Sequence, residues 1–213
     1  MTAPRNAAPH SPALTIRFAT PADAETLVAI YAPYILKTAI TYEYEIPSTA
    51  EFAHRIETYS AKYPYLVAEL DGTPVGYAYA CPLGSRPAFD WAVETAIYVR
   101  EDCKGLGIGK ALYEKLETIL RSMGIRTMTA AVASVDHDDP YLTNASISFH
   151  LRMGFTPVGT FHNAGCKFGR WYDLTWLEKA IGEYEGEPEH PKSIADVRRQ
   201  FEEEFCREQD KMA

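Results

Sequence analysis

Apolar residues change their spacing several times along the chain, and each change marks an element. Leu14 to Phe18 alternates and reads as a first strand; the Pro/Ala-rich residues 1–13 before it lack periodicity and are expected to be disordered. Thr20 offers an N-cap, Pro21 suits the first helical position and Asp23 the first turn. A helix is therefore expected over 21–37, with Leu27, Ile30 and Tyr31 facing inward. Thr38 to Ile46 is aromatic and β-prone, and Ser48-x-x-Glu51 is a capping box opening a second helix to about Lys62. Tyr65 to Leu70 and Val75 to Leu83 flank Asp71-Gly72, a strong hairpin signal. After the loop Gly84 to Trp91, a largely apolar strand, Val93 to Val99, carries a single carboxylate, Glu94. Helical spacing returns over 108–123, where Ile108, Ala111, Leu112, Leu116, Ile119, Leu120 and Met123 share one side and Gly124 is the stop. A buried strand, Thr127 to Ser134, leads through the polar loop Val135 to Leu142 into a short helix, 144–153. Gly154 ends that helix before strands near Phe155 to Thr160 and Trp171 to Leu177.

This interleaving predicts an α/β fold, a mixed sheet with helices on both faces, and there is no internal repeat. After Leu177 the character changes. Gly182 to Pro191 reads as a linker, and Ile194, Val197, Phe201 and Phe205 recur at helical spacing, giving a helix that docks on the domain or on a partner. Three segments are expected: 1–13, a folded domain over 14–177, and an acidic linker and amphipathic helix over 178–213.

Composition supports one well-filled core, with 46% hydrophobic residues in a chain of 213. The net charge of -8 argues against nonspecific nucleic-acid binding and against an anionic membrane surface. Residues 178–213 hold eleven acidic and six basic residues, so the acidity belongs mostly to the tail. Glu202 to Glu204 reads as a solvated face. Cys81, Cys103, Cys166 and Cys206 are widely separated, without C-x-x-C or metal-ligand spacing, and are expected to be free thiols in a reducing compartment. With no apolar run for a span or a signal peptide, the expected location is cytoplasmic.

The stretch Lys104-Gly105-Leu106-Gly107-Ile108-Gly109-Lys110 joins a strand to an amphipathic helix. Its glycines and the unpaired N–H groups of a helix's first turn make a cradle for phosphate or pyrophosphate. It is not a Walker loop, which needs G-x-x-x-x-G-K-[ST], nor a Rossmann G-x-G-x-x-G, because position 112 is Leu112. It resembles the R/Q-x-x-G-x-G/A signature of GNAT-type N-acetyltransferases, with Lys104 in the place of the family's Arg or Gln.

The resemblance extends to Arg86-Pro87-Ala88-Phe89-Asp90-Trp91-Ala92-Val93-Glu94, to Asn144-x-Ser146-Ile147-x-Phe149-His150 with Gly154-Phe155, and to Gly165-x-Lys167-x-Gly169-Arg170-Trp171-x-Asp173. In that order these are similar to the phosphinothricin/methionine sulfone acetyltransferase branch of the family, over about residues 14–177. The resemblance implies a mainly antiparallel GNAT-like sheet and a homodimer that transfers acetyl from acetyl-coenzyme A to a small amino-acid-like amine. It also implies that Ile97, Tyr98 and Val99 pair with the pantetheine arm through their backbone, and that Lys104 to Lys110 hold the pyrophosphate.

Acetylating an amine requires deprotonating the ammonium, polarising the thioester carbonyl and stabilising the leaving thiolate. Glu94 is the candidate base, since a carboxylate in an apolar strand has a raised pKa; the competing reading is a structural Glu on the strand's exposed side. His150 matches the branch's histidine, which donates to the thiolate as imidazolium or relays a proton when neutral; otherwise it is a packed helix residue. Asn144 caps its helix, contacts the cofactor, or both. Arg86, Lys167 and Arg170 are candidates for the acceptor's oxygens, the last two equally readable as surface ion pairs, while Tyr79 or Phe89 packs against its aliphatic body. The Asp136-His137-Asp138-Asp139 cluster has no metal-ligand spacing and reads as a solvated turn. Two other functions fit the same residues: a noncatalytic acyl-coenzyme A-binding module signalling through its tail, and acetylation of a protein N-terminus or lysine.

Overall fold

A computed structural model describes residues 12–210 of the chain, with side chains described as far as Arg207; most of the segment read as disordered, residues 1–11, lies outside the described residues. The strands are β1 (Leu14–Phe18), β2 (Tyr65–Leu70), β3 (Thr73–Pro82), β4 (Ala92–Val99), β5 (Thr127–Ser134), β6 (Thr156–Lys167) and β7 (Arg170–Ala180). The helices are α1 (Ala24–Lys37), α2 (Thr49–Ser60), α3 (Ile108–Met123), α4 (Ala145–Arg152) and α5 (Ile194–Asp210). The strands form one sheet in the order β1-β2-β3-β4-β5-β7-β6. Every neighbouring pair is antiparallel except β4 with β5.

Local chemistry accounts for most boundaries. Asp71 and Gly72 take φ of 48° and 76°, the left-handed pair that a two-residue hairpin turn of matching twist demands. The Ser48 hydroxyl accepts the Glu51 amide at 3.1 Å and opens α2. Thr20 begins a single 3-10 turn, Pro21–Asp23, and regular α-helix follows from Ala24.

Strand alternation then sorts side chains into two cores. Leu66 and Ala68 of β2 pack with Leu112, Leu116 and Leu120 of α3, while Tyr65 and Val67 turn to the opposite face, against Leu27, Ile30 and Tyr31 of α1 and Phe52 and Ile56 of α2.

Two readings need correction, and one alternative left open is resolved. Thr38 to Ile46 is β-prone in composition but forms no strand; Thr41, Tyr42 and Tyr44 bond through their side chains to Tyr31, Asp173 and Cys166. The last hairpin is far longer than its apolar alternation indicated. Strand β6 lies at the sheet edge, exposed over most of its length and bulged between Phe161 and Gly165, so no inward-outward pattern marks it. Finally, α5 docks on the body of the protein: Ile194, Val197, Phe201 and Phe205 are buried in the same core as Phe18 and Leu116. The Phe205 ring lies 5.3 Å from that of Phe18, and Lys115 of α3 pairs with Glu204 at 2.7 Å. The linker is held on the way: the Trp91 indole donates to the Glu189 carbonyl at 3.0 Å, and the Lys192 amide to Met123 at 2.7 Å.

Candidate active site

Parallel pairing between β4 and β5 extends only over Ala92↔Thr127, Val93↔Met128 and Glu94↔Thr129. Beyond Glu94, β4 remains paired to β3 as far as Val99 and β5 to β7 as far as Ser134, but not to each other. The two strands therefore part, leaving facing backbone edges with unspent N–H and C=O groups. Two threonines mark the fork: Thr95 Oγ1 donates to the Thr129 carbonyl at 2.8 Å, and Thr129 Oγ1 to that of Val93 at 3.1 Å.

A cavity of about 150 Å³ opens in this gap, lined by Glu94 to Tyr98, Ala130 to Ala133, Ile40, Tyr79, Tyr113, Ser146 and His150. Glu94 is half-buried, and among the described residues its carboxylate has no hydrogen-bond or ion-pair partner; desolvation alone raises its pKa above the ordinary carboxylate value. Cys81 lies across from it on β3, and burial together with the charge of Glu94 pushes the thiol up to about 12, so it stays protonated at neutral pH.

His150 is buried at 3% exposure, and both ring nitrogens are engaged. Nδ1 meets the Ser146 carbonyl at 2.8 Å and must carry the proton there; Nε2 meets the Tyr113 hydroxyl at 2.9 Å. Burial lowers the imidazole pKa, so the neutral ring accepts from Tyr113 at pH 7. Tyr113 also lies 3.2 Å from Thr95 Oγ1, and burial and the charge of Glu94 both raise its pKa. This tyrosine escaped the sequence reading. The only signal was a hydroxyl one helical turn after Gly109, on a helix otherwise read for its aliphatic side.

Strand β4 runs into the glycine loop and α3. Tyr98 turns its ring to Tyr31 and Tyr77, with centroids 4.6 and 5.4 Å distant, and pairs with Tyr77 of β3, while the Val99 amide on the other edge reaches the Tyr34 hydroxyl at 3.4 Å. The Val99 carbonyl accepts from the Tyr34 hydroxyl at 2.5 Å, and the Lys104 ammonium sits 4.7 Å above the Tyr34 ring. Gly105 and Gly107 take φ of 82° and 81°, and Gly107 is the residue from which α3 starts. The first intrahelical bond runs from the Ala111 amide to the Gly107 carbonyl at 3.0 Å, so the amides of Ile108, Gly109 and Lys110 are free to meet an anion. Leu106 is exposed at the loop tip, and Lys110 points outward beside Glu114. Gly109 has a different reason to lack a side chain: a Cβ there would lie 3.3 Å from the Phe149 ring and 3.5 Å from Ile97. Free amides beside a parted strand pair fit a pyrophosphate carrying a long, thin amide-bearing arm.

The remaining candidates are dispersed. Asn144 does not cap α4 with its side chain; its amide clamps Val135 instead, accepting that residue's N–H at 3.3 Å and donating to its C=O at 2.8 Å. Of the five acceptor candidates only Tyr79 lines the cavity. Arg86 and Phe89 lie on the exposed turn before β4. Lys167 is buried and donates to the Thr41 carbonyl at 2.7 Å, and Arg170 pairs with Asp139 at 3.3 Å. Asp139 also accepts the Tyr141 amide and the Tyr172 hydroxyl, which makes the acidic cluster a structured turn at that end.

Comparison with known proteins agrees with this geometry. Residues 16–176 match the acetyltransferase (GNAT) domain family. The chain is 32% identical over 171 residues to a phosphinothricin N-acetyltransferase of Streptomyces viridochromogenes, covering 80% of this chain and 90% of that one. It is 33% identical over 175 residues to an L-methionine sulfoximine/L-methionine sulfone acetyltransferase of Salmonella typhimurium, covering 80% and 96%. A phosphinothricin acetyltransferase from Sinorhizobium meliloti, solved in complex with acetyl-coenzyme A, superposes with a TM-score of 0.75 at 35% identity, covering 83% of this chain and 93% of that one.

Proposed function

Because the chain belongs to the GNAT acetyltransferases and takes acetyl-coenzyme A as its acyl donor, we propose that it acetylates the free α-amine of a small amino-acid-like substrate. Phosphinothricin and methionine sulfone or sulfoximine are the first choices. The observation that carries this reading is Glu94: a half-buried, unpaired carboxylate of raised pKa in the cavity between the parted strands. Names of the relatives support the substrate class. Membership in an acetyltransferase family counts against the noncatalytic alternative.

Bound acetyl-coenzyme A supplies the thioester carbonyl. Glu94 removes a proton from the substrate ammonium, directly or through water, so that the nitrogen lone pair is free to form the amide bond. The backbone N–H of Ile97, on the edge of β4 turned away from β3, polarises the carbonyl oxygen. As the C–S bond breaks, the thiolate leaves on coenzyme A and takes up a proton from solvent; Tyr113, its own hydroxyl proton held by His150 Nε2, lines the cavity wall beside it. Arg86, on the turn before β4, is a solvent-exposed guanidinium suited to carboxylate, phosphinate or sulfone oxygens.

The protein works in the cytoplasm, a reading supported by its four free cysteines and by the absence, among the described residues, of any helix long and apolar enough to cross a membrane. It acts as a homodimer; Val158, Phe161 and Trp171, 61%, 63% and 62% exposed on the edge hairpin, are apolar surface that a second copy would cover. Sedimentation showing only monomer at micromolar concentration would remove that part.

The direct test is a panel of amines with acetyl-coenzyme A, read by thiol release and product mass. Methionine sulfone, sulfoximine and phosphinothricin should be turned over, and Arg86→Ala should raise their KM far more than that of acetyl-coenzyme A. Turnover confined to peptide or protein amines would overturn the substrate class.

A further inference from the structure

Residues 38–48 contain no helix or strand, so their shape is imposed from outside. Ile40 lines the same cavity as Glu94 and Tyr79. What fixes the loop is the β6–β7 hairpin, distant in sequence. Lys167 Nζ donates to the Thr41 carbonyl at 2.7 Å, Tyr42 Oη to that of Asp173 at 2.8 Å, and Tyr44 Oη to that of Cys166. The Tyr42 ring occupies the space a side chain at Gly165 would need: a Cβ there would fall 2.5, 2.6 and 2.8 Å from three ring carbons. On its other flank the loop is held by α1 and α2, where Tyr31 Oη lies 2.6 Å from Thr41 Oγ1 and Arg55 pairs with Glu43 at 2.7 Å.

Lys167 is the one Lys or Arg that is fully buried among the described residues. Its ammonium lies 5.3 Å from the Phe168 ring centroid, burial lowers its pKa, and the charge of Glu43 acts in the other direction. Burying an ammonium is costly, and methionine would fill the same volume without that cost. What methionine lacks is a donor for the carbonyl next to Ile40.

We propose that Lys167, together with Gly165, is a positioning residue for the acceptor: by fixing residues 41–44 against the hairpin it sets where Ile40 stands in the cavity, and so which amines fit beside Glu94. The inference rests on the reading that the acceptor enters that cavity. Lys167 acts through the loop, and its ammonium is already committed to Thr41, so it need not touch the substrate.

Lys167→Met keeps the length of the side chain and removes the donor. With methionine sulfone or phosphinothricin as acceptor, its KM should rise about 10- to 100-fold, the range expected when a contact wall shifts by about an ångström. The KM of acetyl-coenzyme A should hold. Gly165→Ala should reproduce the split, and adding it to Tyr42→Ala should change nothing further, since the obstructing ring is gone. Amide hydrogen exchange gives a readout that needs no substrate: residues 39–44 should exchange faster in Lys167→Met while α3 stays protected. A folded Lys167→Met protein with unchanged acceptor KM, or with unchanged exchange at 39–44, overturns the proposal. So does a parallel rise in both KM values, which would mean general loosening. Wild-type turnover in Glu94→Gln, by contrast, would defeat the reading of the cavity itself and leave the exchange result to decide whether Lys167 fixes the loop.

Discussion

Glu94 stands at the last paired position before two strands part, which removes it from bulk water without giving it a counter-charge. Its pKa is raised, so the basic form should be lost at a higher pH than for an ordinary carboxylate, and turnover should fall as pH drops through that value. Glu94→Gln should reduce turnover by about 10²-fold or more with acetyl-coenzyme A affinity intact, and should flatten this acid limb; a variant with wild-type rate and pH profile would exclude the residue from the chemistry. His150 titrates with the opposite sign of shift. Burial holds it below 6.5, so the unfolded chain takes up the proton first. Its contribution to stability is complete above pH 6.5 and is lost as pH falls through the folded-state value. The melting temperature of wild type should therefore decline more steeply on acidification than that of His150→Gln, and parallel curves would contradict it. Sequence picked out Glu94 and His150 because a lone charge in an apolar strand and a motif match are visible in one dimension. Tyr113 was not visible, since its meaning comes from Thr95 and His150, which only the fold brings to it.

At the scale of elements, α3 and β5 were legible to the residue, because strict apolar periodicity over long segments has few competing solutions. The loop at the start of α3 was legible too, but the reasons for its glycines differ. Gly107 has no atom within 4 Å of where a Cβ would sit, so its requirement is conformational; Gly109 is pressed against Phe149 and Ile97. Gly107→Ala should then cost about 1–2 kcal/mol of stability from left-handed backbone strain, and calorimetric titration should show a further loss of acetyl-coenzyme A affinity as the amides turn away. Equal affinity in the folded variant would mean that the loop does not hold the pyrophosphate. The final hairpin was only half legible. Its motif, Gly165 to Asp173, looked like substrate chemistry, yet Lys167 and Arg170 are engaged with Thr41 and Asp139. A cation in a sequence carries no sign of whether its partner will be a ligand or the chain itself.

At the scale of the molecule, α5 is not a detached tail. Phe205 is 4% exposed, against Phe18 and beneath Lys115. Phe205→Ala should cost about 3–5 kcal/mol, the usual range for emptying a buried aromatic site, which chemical denaturation would measure; a loss under about 1 kcal/mol, typical of surface substitutions, would place the helix outside the cooperative core. The helix was predicted from its spacing, but its docking site was not, because an apolar stripe does not name its partner. The site is shared between β1 and α3, and this opposes the order of packing to the order of synthesis. Phe18 is among the first described residues to leave a ribosome, and Phe205 among the last. At about 5–20 residues per second the interval is about 10–40 s, during which the flank of β1 and the back of α3 have no cover. A newly made chain therefore presents a temporary apolar surface that the finished protein never shows.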